Sequence, residues 1–315
     1  MEKNLLSSLV LVCSLLTGFA ADKKIVLVAG KPSHGPAQHE HNAGSLLLKK
    51  CLDAIPGIRT DIHLNGWPED EKFFDGADAI VLYMDGGAGH ELLQGDRLKK
   101  MGERINKGVG LACIHYATEP TPEKGQKEFL EWIGGAFEPN RSVNPHWDAD
   151  FKKLPKHPIT NGVKPFKIND EWYFHLRFLI PDSVAQKVAD VSSSSHESGK
   201  PIYTFSITPI LCAVPPESTM SRPDGPHEGN SEARGAVKRQ EPQTVAWARE
   251  NGLSGRGFGF TGGHFHKNWG DENFRKIVLN AIVWIAKADV PKNGVDCKIT
   301  AEDLKQNLDP KGKAK

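Results

Sequence analysis

The stretch Val109-Gly110-Leu111-Ala112-Cys113-Ile114-His115 is an unbroken apolar run that halts on a histidine. It is too short for a helix and too uniformly apolar for a strand with one wet face. It therefore reads as a central strand of a parallel sheet, covered on both sides. The same pattern recurs at 25–29, which stops at Gly30, and at 79–84, which stops at Asp85-Gly86-Gly87. It returns at 257–261, which stops at Gly262-Gly263. Between these runs the apolar residues change to helical spacing. Leu47, Leu48, Cys51, Leu52 and Ile55 are closed by Pro56-Gly57, and Leu98, Met101 and Ile105 are stopped by Gly108. Phe274, Ile277, Val278, Ala281, Ile282 and Ile285 form a closing helix. Strand and helix alternating through short connections predict an α/β chain built on a doubly wound, mostly parallel sheet.

The rest of the chain is less regular. Residues 140–250 lack a clear period, 192–195 read as a turn, and 215–241 form a long polar loop rich in Gly and Pro. A loop of that length inside a compact domain is usually functional or disordered. Residues 288–315 are Lys-rich and read as a C-terminal tail. At the other end, Lys3, the apolar run 5–16 and Gly18-Phe19-Ala20 have the layout of a secretory signal peptide over residues 1–20. The run is too short to span a bilayer, so the expectation is a mature protein that is periplasmic or secreted, without membrane insertion. Cleavage leaves Cys51, Cys113, Cys212 and Cys297. In an oxidising compartment these permit three complete pairings, among which the sequence does not choose.

Formal net charge is +1, with 40 basic against 39 acidic residues, so nothing marks a nucleic-acid partner. A neutral or modestly charged small ligand fits this balance. The nucleotide templates are missing: residues 30–35 do not supply GxGxxG, and no Walker lysine motif occurs, so no nucleotide cofactor is expected. GxSxG and HExxH are also absent.

Ligands of open parallel sheets bind beyond the carboxyl ends of the strands. Of the 13 histidines, His34, His39, His41, His90, His115, His264 and His266 fall at such ends, together with Asp85. Neutral imidazoles beside a carboxylate serve equally as ligands of zinc or a similar divalent metal and as general acids and bases. His264 and His266 share one face if their segment is extended, whereas His39 and His41 diverge if theirs is helical. Class I glutamine amidotransferases hold a nucleophilic cysteine in the tight turn after a strand like 109–114. Here Cys113 falls two residues early and His115 takes the turn, which argues against cysteine catalysis.

Several motifs together resemble one family. Gly30-Lys31-Pro32-Ser33-His34, Asp85-Gly86-Gly87, Ile114-His115-Tyr116-Ala117-Thr118, His157-Pro158-Ile159-Thr160, Asp170-Glu171-Trp172-Tyr173 and Thr261-Gly262-Gly263-His264 look like the ThuA-like (trehalose utilisation) family. The likeness runs over residues 24–287, and Met220-Ser221-Arg222-Pro223-Asp224-Gly225-Pro226-His227 resembles its exported members. The resemblance implies a fold similar to the class I glutamine amidotransferase (flavodoxin-like) domain without its cysteine. It also implies a place in the use of disaccharides through 3-keto sugars.

The leading expectation is a metal-assisted enzyme acting on a carbohydrate, a 3-keto glycoside or disaccharide derivative, by elimination, isomerisation or hydrolysis. A ketone at C3 acidifies the C2 proton, so a base and an electrophile suffice. His115, His264, His39 and His266 are the candidate metal ligands, and Glu171, His34 and His115 the candidate catalytic groups. Asp85, Trp172, Tyr173, Arg222, Asp224 and His227 are the candidate substrate-binding residues, the last three on a lid over the pocket. Two other readings stand beside it: a carbohydrate-binding accessory protein without turnover, and a metal-dependent hydrolase of another substrate class.

Overall fold

The computed structural model describes residues 22–179, 205–251 and 255–311, and the leader at 1–20 and the turn at 192–195 lie outside them. Four apolar runs form the expected parallel strands: β1 (Lys23–Ala29), β3 (Ala79–Tyr83), β4 (Gly110–Ile114) and β11 (Gly257–Phe260). The strand β2 (Ile58–His63) was not legible in the sequence. It sits at the sheet's edge, where only Thr60 is fully covered, so its polar residues hide the period. The central sheet has seven strands in the order β2-β1-β3-β4-β11-β10-β9, with β9 (Phe205–Ala213) and β10 (Gln243–Asn251) completing it. Strands β2, β1, β3, β4 and β11 pair in parallel, and β10 is antiparallel to both of its neighbours.

Alternation along the strands decides which helix covers which face. Ile25, Leu27, Ala79, Val81, Ala112 and Ile114 face α1 (His41–Leu52) and the closing helix Glu272–Ile285. Val26, Val28, Ile80, Leu82, Leu111 and Cys113 point the other way, onto α2 (Arg97–Asn106) and α3 (Gln126–Trp132). The closing helix begins where the Asp271 side chain accepts from the Phe274 N–H at 2.9 Å. Its Ile277, Val278, Ile282 and Ile285 are wholly buried, each contributing about 1.5–3 kcal/mol of transfer free energy.

Three stretches differ from their sequence reading. Residues 140–250 hold a small antiparallel sheet of β6 (His146–Phe151) with β7 (Phe166–Glu171), and the strand β8 (Arg177–Phe178), which pairs antiparallel with β5 (Gly135–Ala136) just before the region. The expected long loop at 215–241 contains a short 3-10 turn, Glu217–Met220, and a helix, α4 (Ser231–Lys238). Asn230 caps α4 by accepting from the Ala233 N–H, and a stripe of only Ala233, Ala236 and Val237 is buried, too brief to register as a period. The closing helix is therefore α5. The expected tail is irregular but packed. Val295 is buried, Cys297 is joined to Cys51, and the Val295 N–H donates to Asn280 Oδ1 at 2.8 Å. Isolated anchors of this kind leave no periodic trace. Cys113 and Cys212 are free thiols. Among the described residues no helix is long and apolar enough to cross a membrane.

Candidate metal centre

The parallel strands deliver their last side chains to one edge. His115 follows β4 in a left-handed turn (φ 58°), and Asp85 follows β3. Gly86 can only be glycine, because a Cβ there would stand 2.2 Å from the Tyr116 carbonyl oxygen. His264 follows β11 and is held by Asp170, whose buried carboxylate accepts from the N–H groups of Gly263 (2.8 Å) and His264 (3.1 Å). His39 comes from the loop after β1, and Glu171 from the end of β7.

His39, His115, His264 and Glu171 meet, with ligand atoms all within 4.8 Å of one another. His39 Nε2 lies 3.0 Å from both His115 Nε2 and His264 Nδ1. Glu171 Oε2 is 3.1 Å from His264 Nδ1 and 3.5 Å from His115 Nε2. The outer contacts assign the protons. The Thr261 carbonyl can only accept, so His115 Nδ1, 2.7 Å away, is the donor. The Asp85 carboxylate likewise takes the His39 Nδ1–H at 2.8 Å. Both Nε2 atoms then present lone pairs to each other at 3.0 Å. That contact is repulsive unless a cation stands there or His115 takes a second proton. Ligand atoms about 2.0–2.1 Å from one ion lie about 3.0–3.4 Å apart, so the residues fit a divalent metal.

The charges agree with this arrangement. Burial and the surrounding imidazoles push His39 far below its usual range, keeping it neutral. Burial works against ionised Glu171, but His115 and His264, when protonated, reverse it through hydrogen bonds and charge and hold the carboxyl well below the usual range. Burial also opposes a charged His115, yet Glu171 outweighs it and raises that histidine. His41, behind Asp85, is lowered to about 4 by burial.

The sequence profile of the family described as trehalose utilisation (ThuA) matches residues 26–285, most of the chain. The chain belongs to the ThuA family. Two solved structures described as ThuA-like share the fold. One, from Bacteroides uniformis, is 13% identical, covers 86% of this chain and 95% of its own, and has a TM-score of 0.52. The other, from Parabacteroides merdae, is 14% identical, covers 86% and 92%, and has a TM-score of 0.53. No curated protein matches the chain.

In this ThuA chain the remaining candidates divide. His34 stacks on His39 at 3.5 Å between ring centroids and is exposed at the mouth. The Tyr173 hydroxyl lies 3.4 Å from His115 Nε2. Trp172 cannot stack on a sugar: it is wholly buried between Phe260 and Phe274. His266 does not join the ligands. The chain leaves the extended state there and starts the 3-10 turn His266–Gly270, so the shared face with His264 is lost. Arg222 lines a cleft of about 320 Å³ together with Asn144, His146, Ser218, Ser221 and Glu171. His227 Nε2 is 2.8 Å from Glu119 Oε1. Asp224 turns away and pairs with Arg234 near the surface.

Three site residues were missed. Asn144 donates to Glu171 Oε1 at 3.1 Å, His146 Nε2 lies 3.8 Å from that oxygen, and buried Glu119 partners His227. His146 opens β6 and Asn144 lies two residues before it, neither at a parallel strand end, and only Glu119, four residues past His115, lay near a recognised signal.

Proposed function

We propose that this chain is an exported, metal-dependent enzyme acting on a carbohydrate, with a 3-keto glycoside as the substrate class. The observation that carries the reading is the pair of Nε2 lone pairs, on His39 and His115, facing each other beside Glu171 and His264. The family description, trehalose utilisation, supports a sugar as the ligand.

His39 Nε2, His115 Nε2, His264 Nδ1 and Glu171 Oε2 would hold the ion. When bound, a zinc-like ion supplies Lewis-acid polarisation of a substrate oxygen. Glu171 keeps its second oxygen toward the cleft, steadied by Asn144. Partial burial of the His34 ring at the mouth lowers its proton affinity, so it is neutral near pH 7 and able to take the acidified C2 proton. Arg222, Ser218 and Ser221 offer hydrogen bonds to sugar hydroxyls from the cleft wall. The leader supports export, with a native N-terminus near Ala21 on sequencing.

The raised proton affinity of His115 favours a second reading. A proton can bridge the acceptors, and the site then binds sugar without turnover. Elemental analysis of purified protein, followed by turnover assays on disaccharides and their 3-keto forms, separates the two. The enzyme reading expects about one metal per chain and turnover lost on chelation and restored by metal. Sugar binding by metal-free protein with no turnover would replace it with the second reading.

A further inference from the structure

The loop that carries His39 is built from unfavourable backbone. His34 (φ 58°), Ala37 (φ 62°) and His39 (φ 45°) all lie in the left-handed region without being glycine. Such conformations persist only where the surroundings over-determine them. Part of that restraint comes from within the main domain, since the His39 N–H donates to the His264 carbonyl at 3.0 Å and the Ala37 N–H to Glu40 Oε1 at 2.9 Å.

The rest arrives from the far end of the chain. Lys311 Nζ donates to the Gln38 carbonyl and to the His39 carbonyl (3.2 Å), and pairs with Glu40 Oε1 at 3.3 Å. Three donors thus meet three acceptors, which is the full capacity of an ammonium. The Asp309 N–H donates to the other Glu40 oxygen at 2.8 Å, and Asn42 Nδ2 donates to Asp309 Oδ1 at 2.8 Å. The side chains of Lys311 and Glu40 are 6% and 1% exposed, and a charge so deeply buried is tolerable only when paired. The segment is held in place upstream by the Cys51–Cys297 disulfide and by Arg275 Nη2 donating to the Cys297 carbonyl at 2.7 Å. It lies beyond residues 26–285, the part that matches the family profile.

We propose that this segment is a strap belonging to the metal centre, with Lys311 the positioning residue that locks the His39 backbone so that Nε2 faces His115 and His264. The inference rests on the metal reading above. Without Lys311, the Gln38 carbonyl loses its donor, the His39 carbonyl keeps only the bond from the His41 N–H at 2.8 Å, and Glu40 is left as a buried carboxylate with no cation beside it. The loop then relaxes out of its left-handed turns, and the His39 nitrogen leaves the cluster.

The test is a Co²⁺ titration of metal-free full-length protein, followed by the visible absorption of the bound ion. Losing a partner that orients a ligand typically weakens metal binding about 10–100-fold. Lys311→Met is expected to show that loss with an altered Co²⁺ spectrum, and Lys311→Arg to recover most of the affinity. Lys50→Ala, which breaks only the peripheral pair with Asp303, should bind Co²⁺ like the wild type. In parallel, diethyl pyrocarbonate labelling mapped by mass spectrometry should find His39 protected in the wild type and reactive in Lys311→Met. Wild-type affinity and spectrum in Lys311→Met would overturn the proposal. If the wild type takes up no Co²⁺, the metal reading fails and labelling alone decides the strap, with continued protection of His39 counting against it. Should Lys311→Met not fold, Lys311→Gln, which removes the charge but keeps donors, is read the same way.

Discussion

Replacing Asp85 by alanine removes the acceptor that sets the tautomer of His39. Its carboxylate takes the Nδ1–H at 2.8 Å, and the His39 side chain is only 1% exposed. Without that acceptor the imidazole is free to move its proton to Nε2, where it blocks the lone pair aimed at the centre. Carboxylate–histidine–metal contacts of this kind are worth about 10–100-fold in metal affinity, which is about 1.4–2.7 kcal/mol. Calorimetric titration of metal-free protein with Zn²⁺ should therefore show Asp85→Ala binding more weakly by that margin. Asp85→Asn separates orientation from charge, since an amide oxygen still accepts from Nδ1–H. Asparagine should recover part of the loss. Asp85→Ala binding Zn²⁺ as tightly as the wild type would refute the reasoning, because the proton assignment that makes the cluster a metal site depends on this contact.

Two further outcomes follow from the same geometry. Cys113 is wholly buried in β4, and burial pushes its thiol well above the usual range. It should resist alkylation in the native protein, and Cys113→Ala should lower stability by about 1–2 kcal/mol in a denaturant titration while leaving metal content intact. The hydrogen bond with Glu119 lifts His227 above its ordinary 6.5, and burial raises Glu119. An NMR titration should place the His227 midpoint above 6.5 and find it lower in Glu119→Gln. Because the folded value is the higher one, the stability this histidine contributes is complete below 6.5 and lost as pH rises through the folded midpoint.

The sequence by itself determined four of the parallel strands at the centre of the sheet and the edge on which the site lies. Four apolar runs, each ending on Gly, Asp or His, are enough to predict parallel strands, because only a strand buried on both faces is apolar without alternation. The same ends predict that Asp85, His115 and His264 share one edge, since parallel strands all finish on the same side. What the period of a strand or helix does not encode was left to the tertiary structure. His266 was lost to a 3-10 turn and Trp172 to the core, and neither outcome is visible from spacing. His39 enters the cluster through a left-handed backbone that tertiary contacts enforce. Glu171 reaches it from a separate two-stranded sheet, and Asn144 and His146 arrive with that sheet. The Cys51–Cys297 pairing and the Lys311 contact join residues 246 and 272 positions apart. Contacts at that distance depend on how whole elements pack, and a local pattern carries no record of them.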